Sequence, residues 1–169
     1  MAQAVPAGTM GIWPAGLDPA TAPVYAFAER TMAADPAAVW EWLVRPRLWP
    51  RYYGHAFFID VPGDGRLAPD VTFRWFTLGV RVTTRVDEFL PGRRLAWWGT
   101  GAGAQGYHSW DILPDPQGRP GHCRVVTEEC QSGLVPSLLR PVLRPLLHHV
   151  HGRWLAGLER AAAQGMPRD

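Results

Sequence analysis

Between residues 57 and 131 the chain keeps returning to one pattern, in which short runs alternate in polarity and turn signals separate them. Val71, Phe73 and Trp75 interleave with Thr72 and Arg74, and Val80, Val82, Thr84 and Val86 interleave with Arg81 and Arg85. Leu95 and Trp97 share a parity, as do His108, Trp110 and Ile112. Successive side chains on a strand point to opposite faces, so this spacing predicts half-buried strands. Pro62-Gly63-Asp64-Gly65, Leu78-Gly79 and Pro91-Gly92 punctuate them, and turns this short join antiparallel neighbours. Six such strands in a row curl strongly and need a cover for their apolar face. That need constrains the fold more than any other feature.

The cover has one candidate, the segment 132–164. Leu146, Leu147, Val150, Trp154, Leu155 and Leu158 recur there at helical spacing. Pro136, Pro141 and Pro145 disturb the first half, so a regular helix is expected only from about Pro141 or Pro145. Gly165 and Pro167 stop it. Ahead of the meander, residues 24–32 read as a strand, and Asp35-Pro36 supplies an N-cap and a first-turn proline for a helix over 36–44. Arg45-Pro46 breaks that helix, and a second short one is expected around 47–52. The Gly-rich stretch 99–106 reads as a loop, and lacks the Lys and following helix of a phosphate cradle.

Composition removes several function classes. The chain has 169 residues, 47% of them apolar, enough for one domain with a real core. Its formal charge is +2 and no basic block stands out, so nucleic acid is not expected as a partner. All 17 basic residues are Arg, which excludes a Schiff-base lysine. Cys123 and Cys130 lie on one predicted strand with opposite parity, too far apart to bridge. Free thiols, no secretory leader and no membrane span point to the cytoplasm. Residues 1–22 read as an irregular extension in which Ile12 and Trp13 either pack on the domain or cover a pocket mouth. Residues 23–164 read as one domain and 165–169 as a tail; nothing in the sequence sets the oligomeric state.

The order strand, two short helices, six-strand meander and long helix resembles the START-like, Bet v 1-like helix-grip superfamily, and within it the bacterial polyketide cyclase/dehydrase and lipid-transport group. The resemblance covers roughly residues 22–164. It rests on Ala34-Asp35-Pro36-Ala37-Ala38-Val39-Trp40 with Leu48-Trp49-Pro50, on Phe73-Arg74-Trp75, and on Pro91-Gly92-Arg93-Arg94-Leu95-Ala96-Trp97. His108-Ser109-Trp110 and Val126-Thr127-Glu128-Glu129, with Gly133 after them, look like the same group's late strands. The resemblance implies an α+β fold, a strongly curved antiparallel sheet of about seven strands gripping the last helix, with an apolar cavity between. It implies no single activity, because relatives include cyclases, aromatases, dehydratases, carriers, hormone receptors and co-chaperones.

Strand parity then sorts pocket from solvent. Trp75, Thr84, Trp97, Trp110, His108, Thr127 and Glu129 fall on the less charged faces and are assigned inward; Val150 and Trp154 face them from the helix, and Tyr53 is placed at the mouth. Counting from a hairpin turn near 116–120 puts His108 opposite Thr127 with Glu129 diagonal to it. A His108–Glu129 pair in an apolar cavity suits proton transfer in an aldol cyclisation, dehydration or enolisation, and equally suits a buried pair that only fixes the hairpin. His148, His149 and His151 do not share one helix face, so they are read as solvated or ligand-facing rather than as metal ligands. No metal and no cofactor are expected. The reading is a protein that binds a hydrophobic small molecule, first as a cyclase- or dehydratase-like enzyme, alternatively as a carrier, and more remotely as an interaction protein.

Overall fold

A computed structural model describes residues 13–168 of the chain. Its strands are β1 (Val24–Met32), β2 (Ala56–Asp60), β3 (Thr72–Thr77), β4 (Val80–Leu90), β5 (Arg94–Gly101), β6 (Ala104–Pro114) and β7 (Cys123–Gly133). They form one antiparallel sheet in the order β1-β7-β6-β5-β4-β3-β2. The meander therefore runs unbroken, and β1 adds to its far edge beside β7. Helix α1 (Pro36–Leu43) and a 3-10 turn (Pro46–Arg51) lie between β1 and β2, and α2 (Leu134–Ala162) follows β7. This is the α+β helix-grip fold.

Local chemistry explains the wedge between β1 and β2. The Asp35 carboxylate accepts from the Ala37 amide at 2.7 Å, and Pro36 sits where its missing N–H costs nothing. The 3-10 turn carries Trp49, which is fully buried and whose indole donates to the Leu43 carbonyl at 2.9 Å. Around it stand Phe73, Trp75, Trp97 and Trp154, with ring centroids 5.1 to 5.8 Å away. One aromatic plug thus ties the wedge, the sheet and α2 together.

Two expectations are corrected. Helix α2 begins at Leu134, well before Pro141. Pro136 lies in the first turn, where backbone N–H groups have no helical partner anyway. Pro141 and Pro145 each remove one internal hydrogen bond, but Ser137 and both prolines are exposed, so water can serve the freed carbonyls. Residues 99–106 are not a loop but the end of β5, a two-residue turn at Ala102-Gly103 and the start of β6. Both turn residues have positive φ, 47° and 74°, the backbone twist that suits a tight hairpin.

The sheet's convex face is less wet than its strand parity suggests. Trp13 packs there against Tyr25 and Tyr107, with centroids 6.3 and 6.0 Å apart, and Leu17 and Ala22 are buried beside them. Trp13 therefore lies on the face opposite α2, not over a pocket mouth; Ile12 is outside the described residues. Near it, Arg94 is clamped between Glu88 and Asp111 at 2.7 to 3.0 Å, and the Tyr25 hydroxyl donates to Glu128 at 2.5 Å. Cys123 and Cys130 are free and buried on opposite sides of the sheet.

Candidate functional site

A cavity of about 220 Å3 lies between the concave face of the sheet and α2. Missing side chains create it. Gly99 and Gly101 on β5, and Ala104 and Gly106 on β6, occupy inward positions where larger residues would fill the space. At Gly101 the requirement is also steric, since a Cβ would strike the Arg81 carbonyl of β4. Glycine here hollows the sheet rather than ending it. Trp75, Trp97, Trp154 and Tyr53 give the cavity flat apolar walls, and Tyr53 stacks on Trp154 at 4.0 Å with planes 6° apart.

The polar end is built by β6, β7 and α2. His108 lies directly across the ladder from Glu129, and Trp110 across from Thr127. The register is thus shifted by two residues from the sequence count. The connection runs over residues 115–122, where Asp115 accepts from the Arg119 amide at 2.9 Å and takes the Gly118 amide on its carbonyl. Thr127 becomes the diagonal neighbour, yet its hydroxyl still meets His108 Nε2 at 2.7 Å. The other ring nitrogen, Nδ1, stands 3.6 Å from Glu129 Oε2.

A third group joins them. His151 Nε2 lies 3.0 Å from the same Glu129 oxygen, and its ring stacks on His108 with centroids 4.8 Å apart. Gln131 donates to Glu129 Oε1 at 2.6 Å. Sequence reasoning grouped His151 with His148 and His149, whereas His148 and His149 are exposed and His151 is buried. The signal was helical phase. His151 is four residues after Leu147 and three before Trp154, both on the buried stripe of α2.

Burial dominates the electrostatics of His108. It lowers the imidazole to about 3, with the Glu129 carboxylate opposing and His151 adding to the fall. At neutral pH His108 is therefore uncharged, and its contact with Glu129 is not an ion pair. Burial alone would raise Glu129, but the hydrogen bonds from His151 and Gln131 and the two imidazoles beside it bring it down to about 2. Burial also pushes the Tyr53 phenol up to about 12, leaving it a donor at neutral pH.

His108, Glu129 and His151 each offer one ligand atom, all within 4.8 Å of one another. Two imidazoles and a carboxylate are a chemically suitable donor set. The two rings lie 23° apart in a stack, and a nitrogen of each faces the same Glu129 oxygen, at 3.6 and 3.0 Å. The two imidazoles thus share one carboxylate oxygen.

Of the residues expected to line the pocket, Tyr53, Trp75, Thr84, Trp97, Val150 and Trp154 do so together with His108 and Glu129. Thr84 is occupied as the acceptor for the Trp75 indole at 2.9 Å. Trp110 and Thr127 are fully buried and stand behind the wall, Thr127 through its bond to His108. The small residues of β5 and β6 and Gln131 escaped the sequence reading, and His151 was singled out there only within a group read as solvated or ligand-facing.

A family model for polyketide cyclase/dehydrase and lipid transport matches residues 26–166. No curated protein matches the chain significantly. Among solved structures, a hypothetical protein from Helicobacter pylori is 25% identical with a TM-score of 0.82, over 94% of this chain and 99% of its own. A Thermus thermophilus protein is 20% identical with a TM-score of 0.69, over 85% of this chain and 99% of its own. A START superfamily protein from Mycobacterium smegmatis is 14% identical with a TM-score of 0.60, over 83% of this chain and 94% of its own. The last two likenesses speak for the fold alone. With a curved sheet gripping a terminal helix and a family match across most of its length, the chain belongs to the polyketide cyclase/dehydrase and lipid-transport family.

Proposed function

We propose that this protein binds a small, flat, apolar molecule in the cavity under α2, and that binding rather than turnover is its principal activity. The observation that carries the reading is the hollow made by Gly99, Gly101, Ala104 and Gly106 and walled by Trp75, Trp97 and Trp154. A void of about 220 Å3 is smaller than the roughly 300–1,000 Å3 of drug-sized sites, so the ligand is on the order of two fused rings. A long poly-β-carbonyl chain is larger than that. The basicity of the site argues in the same direction. An efficient general base has a pKa near the working pH, whereas burial holds His108 near 3 and its Nε2 is engaged by Thr127.

Acid–base catalysis of the cyclase or dehydratase kind is the second reading, favoured by one specific observation. Glu129 touches two imidazoles at the inner end of an apolar chamber, which suits proton relay once a ligand changes the local polarity. Native mass spectrometry of the purified protein, with tryptophan-fluorescence titration of bicyclic aromatics, tests the first reading. A mass-shifted complex whose ligand leaves unaltered supports a carrier. A ligand released chemically changed, with His108→Ala abolishing the change, supports the enzyme. Failure to bind any apolar molecule refutes both.

A further inference from the structure

The cavity is polar at one end, and that end has one sign. Among the described residues of its wall, Glu129 is the single carboxylate and no Arg is present. The groups of that wall able to carry positive charge are His108 and His151. Thr127 occupies Nε2 of His108, and that ring is buried; His151 is 98% buried against the Glu129 oxygen it shares.

We infer that the cavity selects ligands whose inner end donates hydrogen bonds, such as an alcohol, a phenol or a protonated amine, and rejects those ending in a carboxylate, with Glu129 as the specificity-determining residue. The inference rests on the ligand-binding reading and goes beyond it by naming the chemical class of the head group.

Two arguments lead there. The first concerns free acceptor capacity. A carboxylate has about four lone-pair sites, and in Glu129 one on Oε1 takes Gln131 and one on Oε2 takes His151. An O–H or N–H on the ligand finds an open acceptor at Glu129, whereas a ligand carboxylate placed there meets another acceptor of like charge. The second concerns charge. With His108 neutral, as its burial dictates, Glu129 and the two histidines sum to −1 if His151 is neutral and to zero if it is protonated. Neither state offers a net positive partner. Two like charges about 4 Å apart repel strongly enough, even at the effective dielectric of a protein interior, to weaken binding on the order of 100-fold or more.

Three compounds with one carbon skeleton separate the outcomes: 2-naphthalenemethanol, 2-naphthylmethylammonium and 2-naphthoate. Calorimetric titration into the wild-type protein at pH 7.5 should show the alcohol and the ammonium binding, and the carboxylate at least about 100-fold more weakly. Glu129→Gln should weaken the ammonium at least about tenfold and bring the carboxylate toward the alcohol. Binding of the carboxylate within about threefold of the alcohol overturns the inference while leaving the cavity reading intact. So does a Glu129→Gln protein that keeps the wild-type order of affinities. Absence of binding by all three refutes the cavity reading, and the inference with it. Should Glu129→Gln not fold, the wild-type ratio alone decides.

Discussion

Acid should weaken this protein in a range where surface carboxylates still hold their charge, and His108 should be the main cause. Its folded pKa is lowered from 6.5 to about 3, chiefly by burial. Across that window the unfolded chain binds a proton that the folded chain refuses. Stability is therefore complete above about pH 6.5 and falls as pH drops toward 3. From those two values the loss at this one site is about 2 kcal/mol by pH 5 and about 3 kcal/mol by pH 4. Domains of this kind are stable by only about 5–15 kcal/mol in total, so the effect is large enough to read. Glu129, held at about 2 against an ordinary 4.5, acts in the same direction lower down; its contribution is present above 4.5 and fades as pH falls toward 2. Urea unfolding followed by tryptophan fluorescence, at pH 7, 5 and 4, should be compared for wild type and His108→Gln. Gln keeps a hydrogen-bonding end for Thr127 and cannot take the proton. Wild type should lose about 2 kcal/mol more than the variant between pH 7 and 5. Parallel pH profiles for the two proteins would refute the claim that a buried neutral imidazole is what acid attacks.

Three more predictions concern the frame around the site. In Gly157→Ala the new Cβ would overlap the Tyr52 carbonyl, where α2 passes closest to the 3-10 turn; urea unfolding should show a loss of about 1–3 kcal/mol from overpacking, and an unchanged midpoint would mean the contact relaxes freely. Ala104→Leu should fill the hollow beneath β6, lowering affinity for a bicyclic ligand at least about tenfold while the thermal midpoint holds or rises; undiminished affinity would show that the ligand sits elsewhere. Arg94→Met leaves Asp111, 2% exposed, without its partner, so thermal unfolding should report about 3–5 kcal/mol of destabilisation. Adding Asp111→Leu should recover most of that loss, and a double variant no better than the single one would contradict the account.

The sequence and the structure agree where the argument needs only local periodicity. Strand parity put Trp75, Trp97, His108 and Glu129 on one face, and the ladder keeps that parity. It could not fix which residue faces which across the last hairpin, because that depends on the path of the eight residues between β6 and β7. A two-residue shift moved Glu129 directly opposite His108 and left every side chain on its face, since the strand period is two. The prolines of α2 misled for a related reason. A proline costs a helix one hydrogen bond, and only the surroundings reveal whether water can replace it.

By itself the sequence determined the class of the fold. A meander of alternating strands has one dry face, and a single apolar helix at the end of the chain is the only cover available to it. Tertiary structure alone decided where the cavity is and what it contains. Gly99, Gly101, Ala104 and Gly106 look like loop composition in one dimension. They become a void only when neighbouring strands stack their missing side chains side by side, across from α2. His151 looks like one of three histidines on a helix, and becomes part of the site only when α2 lies across Glu129. Both are long-range facts, set by which surfaces meet, and a period read along the chain carries no information about partners more than a strand away.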